Sequence, residues 1–226
     1  MSEWLTYSLS DFLLFSPSTY YRLFELYNLA LWPGQILAVA LGFAVLALAL
    51  RGPAWRGRAI AAILAACWLW VAWAYLLERY DTINWAAEYF ALAFALEALL
   101  LIGAGALFGG LALRSRPDLF RRAGLCIFLF ALLVQPLIGP LVGRTWTQTE
   151  LFALAPDPTA IGTLGILLAA DKPLWLLLVV PLLWCALSGA TLWTMESPDA
   201  LVTPGVAVLV LALAIWKTLS RRAHQQ

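Results

Sequence analysis

The sequence is poor in charged residues and in the side chains that carry most enzyme chemistry. Only 12% of its 226 residues are charged, and its single histidine, His224, stands close to the end of the chain. The HExxH, CxxC, GxSxG and P-loop patterns are all missing, and no apolar segment contains two aspartates. These absences exclude the common zinc, haem, redox, serine-hydrolase and nucleotide-binding designs. We therefore expect a protein that is not an enzyme and that uses no metal and no cofactor.

Cysteine is scarce and dispersed, whereas apolar residues dominate. Cys67, Cys126 and Cys185 each lie within an apolar stretch, so they do not form a disulfide framework. Apolar residues make up 63% of the chain, and its mean hydropathy is +0.86. Soluble domains are about 45–50% apolar, and a soluble fold of this length could not cover so much apolar surface. The expected fold is all-α, a polytopic bundle of transmembrane helices with lipid as its solvent.

Seven apolar segments are candidates for membrane crossing. A helix needs about 20 mostly apolar residues to cross about 30 Å of hydrocarbon. Six segments meet this length or nearly so, whereas the fifth is short and could equally be a re-entrant helix. The predicted spans run over about 32–50, 59–77, 85–113, 123–142, 158–170, 173–195 and 201–219.

The distribution of charge decides between these alternatives and sets the orientation. Clusters of bases within 51–58, 114–122 and 217–222 are expected to face the cytoplasm, because loops rich in arginine and lysine stay inside. The first two clusters place the loop 143–157 outside. An odd number of crossings must then separate this loop from the basic tail, so the fifth segment is predicted to cross. The prediction is seven spans, with the N-terminus outside and the tail, 220–226, inside.

Residues 1–31 are predicted to form an outer, interfacial segment. Glu3 and Asp11 stand where a secretory signal would carry bases, so we expect no cleaved signal. Ser16 and Pro17 are typical of the start of a helix. The apolar face of that helix consists of Tyr20, Leu23, Phe24 and Tyr27. The helix either lies on the outer leaflet or packs against the rim of the bundle.

Glu97 is the one acidic residue deep inside a long predicted span, twelve residues from the outer end of the third. Acids at this depth are costly and usually face the protein interior or a water-filled cavity. Glu97 is either a protonatable or cation-binding site on a transport path, or a protonated carboxyl that is hydrogen-bonded to a neighbouring helix. Gln135 lies at comparable depth and begins a stretch, 135–140, in which prolines are expected to expose backbone carbonyls. The other residues that could complete a polar core are Thr163, Ser188 and Thr191.

The densest polar cluster, 78–85, joins the second and third spans on the predicted outer face. Its candidate residues for a pathway mouth or a partner-docking turn are Glu78, Arg79, Asp81 and Asn84. The structural alternative is a capped hairpin with one arginine–acid pair. Farther along, Thr147 and Glu150 match a capping-box pattern. Asp157 is expected to cap the fifth span and to belong to the same outer face.

Several short stretches spread over the chain form a recognisable set. They are Ser10–Pro17 (SDFLLFSP), Leu77–Tyr80 (LERY), Thr82–Ala86 (TINWA) and Ala155–Thr159 (APDPT). This set resembles a bacterial family of multipass membrane proteins that is described as a domain of unknown function and is sometimes labelled permease. The resemblance covers most of the chain and implies a polytopic membrane protein. It carries over no activity and no catalytic residue.

Two functions fit these features. The first is a small-solute or ion permease of the bacterial cytoplasmic (inner) membrane, with Glu97 and Gln135 on the route. The second is a non-catalytic scaffold or accessory subunit, which docks a membrane protein or a second copy of itself through its outer loops. The expected surroundings are the lipid bilayer. Nucleic acid is not an expected partner, because the bases form short runs beside the spans rather than a continuous basic face.

Overall fold

The computed structural model describes residues 15–113 and 118–223, and all regular structure in these ranges is helical. The all-α prediction is therefore confirmed for the described residues. Residues 1–14, 114–117 and 224–226 lie outside them, and so do the predictions made for Glu3, Asp11, His224 and parts of the SDFLLFSP stretch, the second basic cluster and the tail. The α-helices of the described ranges are α1 Pro17–Leu31, α2 Gly34–Arg51, α3 Arg56–Trp70, α4 Ala87–Leu100, α5 Leu119–Leu129, α6 Gln135–Leu141, α7 Pro156–Ala169, α8 Trp175–Thr194 and α9 Val202–Ala223.

Three π-helical segments extend or join these helices. Val71–Leu77 continues α3, Leu101–Leu107 continues α4, and Phe130–Val134 joins α5 to α6. Short 3₁₀ turns occur at Tyr80–Thr82 and Trp146–Gln148. Wide π turns inside long helices are often found at functional sites.

Within the described residues, six helical segments are long and apolar enough to cross a membrane, which suggests a membrane protein. They are Gly34–Arg51, Arg56–Thr82, Ala87–Leu107, Leu119–Leu141, Trp175–Thr194 and Val202–Arg222. Each of the seven apolar segments picked out in the sequence corresponds to a helix, but α7, at the predicted fifth span, is too short to belong to this set. The number of crossings and the orientation therefore stay predictions.

The predicted third span extends too far, because its helix ends at Leu107 rather than at residue 113. Gly109 has a φ of +66°, a left-handed conformation that ends helices and that glycine adopts without strain. The residues that follow are not helical and pack against the start of α3. A Cβ on Gly57 would lie 1.7 Å from the carbonyl oxygen of Leu111, so the two backbones touch.

The short helix α7 lies at the centre of the bundle, and all 14 of its residues are buried. It packs against α3, α5, α8 and α9. Its closest neighbour is α5, where Gly124 and Gly165 bring the two backbones together. At about 1.5 Å per residue it is about 21 Å long, shorter than the about 30 Å of hydrocarbon. A helix that is apolar on all sides is buried in a protein core or in a membrane, and protein encloses this one.

Two polar side chains mark the ends of α7. Asp157 lies in its first turn, and Lys217 of α9 donates hydrogen bonds to the carbonyl oxygens of Leu168 (2.8 Å) and Ala170 at its last turn. An acid near the start of a helix and a base near its end are both stabilised by the helix dipole. We call the two ends of the bundle the Arg144 end, where α7 begins, and the Lys217 end, where it finishes.

Helix α1 packs against the Arg144 end of the bundle by its aromatic face. The ring of Phe24 stacks on that of Tyr75 at 4.9 Å, and the indole N–H of Trp70 donates to the hydroxyl of Tyr27 over 3.1 Å. Ser16 caps the helix by accepting a hydrogen bond from the backbone of Thr19. Of the two positions left open by the sequence, the structure shows the helix packed on the bundle.

Candidate functional site

A small polar pocket lies at the Arg144 end, where the loops before α7 and before α9 meet α6 and the last turn of α8. We call it the acidic pocket. Its volume is about 20 Å³, and about 10–15 Å³ is enough for one water molecule. Its polar lining residues are Gln135, Arg144, Gln148, Glu150, Asp157, Asp199 and Thr203. The rest of the bundle interior is overwhelmingly apolar, so this concentration of charge is exceptional within the fold.

Asp157 sits at the floor of the acidic pocket, and its exposure is 3%. Three side chains donate hydrogen bonds to its carboxylate: Trp184 to Oδ1 at 2.7 Å, Ser188 to Oδ2 at 2.6 Å and Thr203 to Oδ2 at 3.2 Å. Donors of this kind stabilise the ionised form against the cost of burial. The sequence placed Asp157 among the outer-face residues and as a cap. It is instead buried inside the first turn of α7, whose N-cap is Ala155.

Arg144 contacts the residues that form the wall of the acidic pocket. Its guanidinium pairs with Asp199, and it lies over the ring of Tyr21 with 4.6 Å between Cζ and the ring centroid. Ser197 donates to the other oxygen of Asp199 at 2.5 Å. The hydroxyl of Tyr21 lies 2.7 Å from that of Ser197 and donates to it, because the serine proton already points at the carboxylate. This network joins α1 to the loop before α7 and to the loop before α9.

Glu150 is the carboxyl of the pocket that has no partner. Among the described residues its side chain makes no hydrogen bond and no ion pair. Burial and the negative charge of Asp157 raise its pKa well above the usual 4.5, against the opposing effect of Arg144. The predicted capping box was wrong in register, because Thr145 and Gln148 form it rather than Thr147 and Glu150. This shift leaves Glu150 free to face the pocket.

Gln135 contributes a second polar group that lacks a partner. Its exposure is 8%, and its side-chain Oε1 is buried without a hydrogen bond. The stretch 135–140 remains helical as part of α6, and Pro136 stands in its first turn, where no backbone N–H is needed. A buried acceptor without a donor costs about 1–3 kcal/mol. Such a group next to carboxylates favours a ligand that donates a proton or carries positive charge.

Glu97 of α4 does not line the acidic pocket. It is fully buried, and neither carboxyl oxygen has a hydrogen-bond partner. One turn away, the ring of Phe94 contacts those of Trp68 at 4.3 Å and Trp184 at 5.0 Å. Trp184 is also a donor to Asp157, so Phe94 and Trp184 connect the turn of α4 before Glu97 to the acidic pocket. The hydrogen bond to a neighbouring helix that the sequence offered as an alternative for Glu97 is not present.

The three hydroxyls proposed for a polar core have different surroundings. Ser188 belongs to the acidic pocket through its bond to Asp157. Thr163 accepts a hydrogen bond from the indole of Trp68 at 2.8 Å and donates to the carbonyl of Thr159. Thr191 is partly exposed and bonds only to the carbonyl of Leu187 in its own helix. The structure thus brings Gln135, Ser188 and Asp157 together, but not Thr163, Thr191 or Glu97.

The outer hairpin forms a separate surface. Glu78 and Arg79 line an open pocket of about 570 Å³ between the hairpin and α1. Asp81 is exposed. Asn84 accepts a hydrogen bond from the backbone of Ala86 and donates to the hydroxyl of Tyr80, so it holds the turn. None of these residues lines the acidic pocket.

Sequence reasoning missed Arg144, Glu150, Asp199 and Thr203 as site residues. The sequence does carry a signal for the first, because Arg144 is one of only three bases on the predicted outer face. Glu150 and Asp199 carry no such signal, because the predicted outer face has many acidic residues. Their convergence depends on how the loops before α7 and before α9 pack together, which one sequence does not reveal.

In its chemistry, the acidic pocket combines three carboxyls with one guanidinium and an open amide oxygen. No three His, Cys, Asp or Glu residues in the described part of the chain are placed to hold a metal ion together. The arrangement suits uptake of a proton or of a single water-sized cation.

A family model described as "Family of unknown function (DUF6064)" matches residues 18–225. Comparison with proteins of curated function and with solved structures found no match. The matched region includes all of α7 and every residue of the acidic pocket. The chain therefore belongs to this family of unknown function.

Proposed function

We propose that the chain is a small-solute or ion permease of the bacterial cytoplasmic membrane, with its Arg144 end outside. Three features support the proposal. Six helices in the described part of the chain are apolar enough to cross a membrane. The Lys217 end carries most of the bases, as expected of a cytoplasmic face. The bundle also buries Gln135, Asp157 and Glu97, and polar groups buried inside a membrane protein usually mark an ion or substrate pathway.

The acidic pocket is the observation that carries this proposal. A purely structural bundle would be expected to satisfy its buried polar groups, since each unsatisfied one costs free energy. Here Gln135 has a buried acceptor without a donor, and the half-buried Glu150, which lines the same small space, has no hydrogen bond and no ion pair among the described residues. A bound ion would supply what both groups lack.

The size and charge of the pocket favour an ion over a larger solute. About 20 Å³ holds little more than one water molecule, and three carboxyls against one guanidinium repel anions. Asp157 and Asp199 already accept hydrogen bonds from protein donors. Glu150 is therefore the group that takes up the incoming charge, most simply a proton.

Proton flux into proteoliposomes, followed with a trapped pH-sensitive dye, tests this proposal. Glu150→Gln cannot exchange a proton, so we expect its flux to fall by about tenfold or more. Glu88→Gln is the matched control, because it removes an exposed carboxyl outside the pocket. Wild-type flux in Glu150→Gln, or no flux in any variant, would remove the proposal. Glu97→Gln, measured in parallel, tells whether the route also passes the second buried acid.

A scaffold or accessory subunit is the second candidate function. It is favoured by the open pocket between α1 and the hairpin, which is lined by Arg79 and by the apolar residues Leu23 and Leu26. Among the described residues, the side chain of Arg79 makes no hydrogen bond and no ion pair. On this proposal, Arg79→Ala loses a co-purifying membrane protein, whereas Glu97→Gln and Glu150→Gln keep it. Recovery of the chain alone from native membranes would count against a scaffold.

A further inference from the structure

A large basic cavity lies at the Lys217 end, far from the acidic pocket. Its volume is about 790 Å³, and it opens between the start of α3 and the segment that follows α4. The lining residues are Gly52, Pro53, Ala54, Trp55, Arg56, Gly57, Arg58, Phe108, Gly109, Leu111, Ala112 and Leu113. None of these described residues is acidic, whereas two are arginines.

The two arginines are held differently. Arg56 donates to the carbonyl oxygens of Leu113 and Gly52, which fixes its guanidinium at the wall and leaves further N–H groups unused. Arg58 is exposed and has neither a hydrogen bond nor an ion pair among the described residues. Its Nε lies 3.3 Å from where a Cβ on Gly109 would be, so the glycine makes room for the guanidinium.

The backbone adds to the positive potential of the cavity. Helix α3 begins at Arg56, and no side chain caps its first turn. The N-terminal end of a helix carries partial positive charge and free N–H groups. With two guanidiniums beside it and no acid in the lining, the cavity matches a ligand of negative charge.

The rim of the cavity indicates where this ligand comes from. Trp55 is 59% exposed and Phe108 is 85% exposed, and both stand at the ends of apolar helices. Exposed aromatic rings at such positions are typical of the interface between lipid and water. A ligand bound here would have its charge among the arginines and apolar chains beside the rings.

We propose that this cavity binds the phosphate headgroup of an anionic phospholipid. The guanidinium of Arg58 contacts the phosphate, and Arg56 supports it from the wall. Zwitterionic lipids bind less well, since the lining offers no acid to pair with a choline or ethanolamine group. The inference does not depend on whether the chain transports an ion.

Native mass spectrometry of the full-length protein in detergent, titrated with phosphatidylglycerol or phosphatidylcholine, tests this assignment. Arg58→Gln is expected to weaken phosphatidylglycerol binding by about tenfold, because it removes a charge-assisted contact. Arg51→Gln is the control. It removes an equally exposed charge at the same end but outside the cavity, and its binding is expected to match the wild type.

Three results would overturn the proposal. Equal losses in Arg58→Gln and Arg51→Gln would mean general attraction to a basic face. Equal binding of phosphatidylcholine would mean that charge is not recognised. Full competition by soluble glycerol phosphate would mean that the cavity takes a free phosphate rather than a lipid. A thermal melt of both variants checks that each is folded, and Arg58 is exposed enough for its variant to retain the fold.

Discussion

The buried and half-buried bases at the Lys217 end bind the last carbonyls of helices. Lys217 bonds to Leu168 and Ala170 at the end of α7, and Arg121 bonds to Ala49 at the end of α2 over 2.7 Å. Carbonyls at helix ends have no partner in their own helix and carry partial negative charge. The bases that predict a cytoplasmic face therefore also stabilise the fold.

Replacing Lys217 by methionine should destabilise the protein while preserving side-chain volume. The variant leaves the carbonyls of Leu168 and Ala170 without their donor, at a cost of about 2–4 kcal/mol. We expect the melting temperature in detergent to fall by roughly 5–10 °C. Lys172→Met serves as the control, because that lysine is exposed near the same end. Equal melting temperatures for the two variants would show that Lys217 does not stabilise α7.

Glu150 gives a prediction about pH. Burial and the charge of Asp157 raise its pKa above the ordinary 4.5, so the folded protein holds this proton more tightly than the unfolded chain does. Its contribution to stability is fully present below about pH 4.5 and is lost as the pH rises through the folded pKa. The side chain in Glu150→Gln is neutral at every pH, so this variant does not lose stability in this way as the pH rises.

The measurement is the melting temperature of Glu150→Gln minus that of the wild type, taken across a pH series. The difference should be near zero at about pH 4 and should grow as the pH rises toward about 8. Glu88→Gln, which lies outside the pocket, provides the comparison. A difference for Glu150→Gln that stays constant with pH would contradict the position of Glu150 in the acidic pocket.

At the scale of elements, α7 links the acidic pocket to the core of the bundle. Its first turn carries Asp157 into the acidic pocket, and its backbone packs directly on α5. A Cβ on Gly165 would lie 2.6 Å from the carbonyl oxygen of Gly124 and 2.7 Å from the backbone nitrogen of Phe128. Neither contact can relax through a flexible side chain, so the two helices would have to move apart.

Gly165→Ala is therefore expected to destabilise the protein by about 1–3 kcal/mol or more, seen as a lower melting temperature and a lower yield of monodisperse protein. Gly205→Ala is the matched control in α9, because a Cβ there meets no atom within 4 Å. Alanine favours a helix over glycine by about 1 kcal/mol, so the control should be neutral or slightly stabilised. Similar behaviour of both variants would contradict the close packing of α5 on α7.

The sequence predicts the helices far better than the site. Apolar length identifies six of the seven helical segments, since burial in lipid requires a continuous apolar stretch, whereas the short fifth segment was assigned from the distribution of charge. The end of the third span was missed because apolar residues continue beyond Gly109, where the chain leaves the helix. The acidic pocket depends on contacts such as Arg144 with Asp199, which are 55 residues apart. No local pattern encodes that pairing.

Across the whole molecule, polar features separate to opposite ends. Carboxyls and the acidic pocket lie at the Arg144 end, whereas the basic cavity and the helix-capping bases lie at the Lys217 end. Helix α7 connects the two ends of the bundle. Just after this helix, the backbone N–H of Asp171 donates a hydrogen bond of 2.7 Å to the carbonyl of Ala112, which lines the basic cavity. The chain therefore changes ends along α7 although this helix is short.

The predicted orientation can be tested by a pair of fusions. Counting α7, the chain passes seven times between the two ends, so the start of α2 and the end of α9 lie at opposite ends. A fluorescent protein that folds only in the cytoplasm should glow when fused after Gln226, because the Lys217 end carries the bases. The same protein inserted after Pro198, in the loop before α9, should stay dark at equal expression. A dark fusion after Gln226 with a bright insertion after Pro198 would mean that the orientation is the reverse of the prediction and that the acidic pocket faces the cell interior. Two bright fusions would mean that α9 does not cross the membrane.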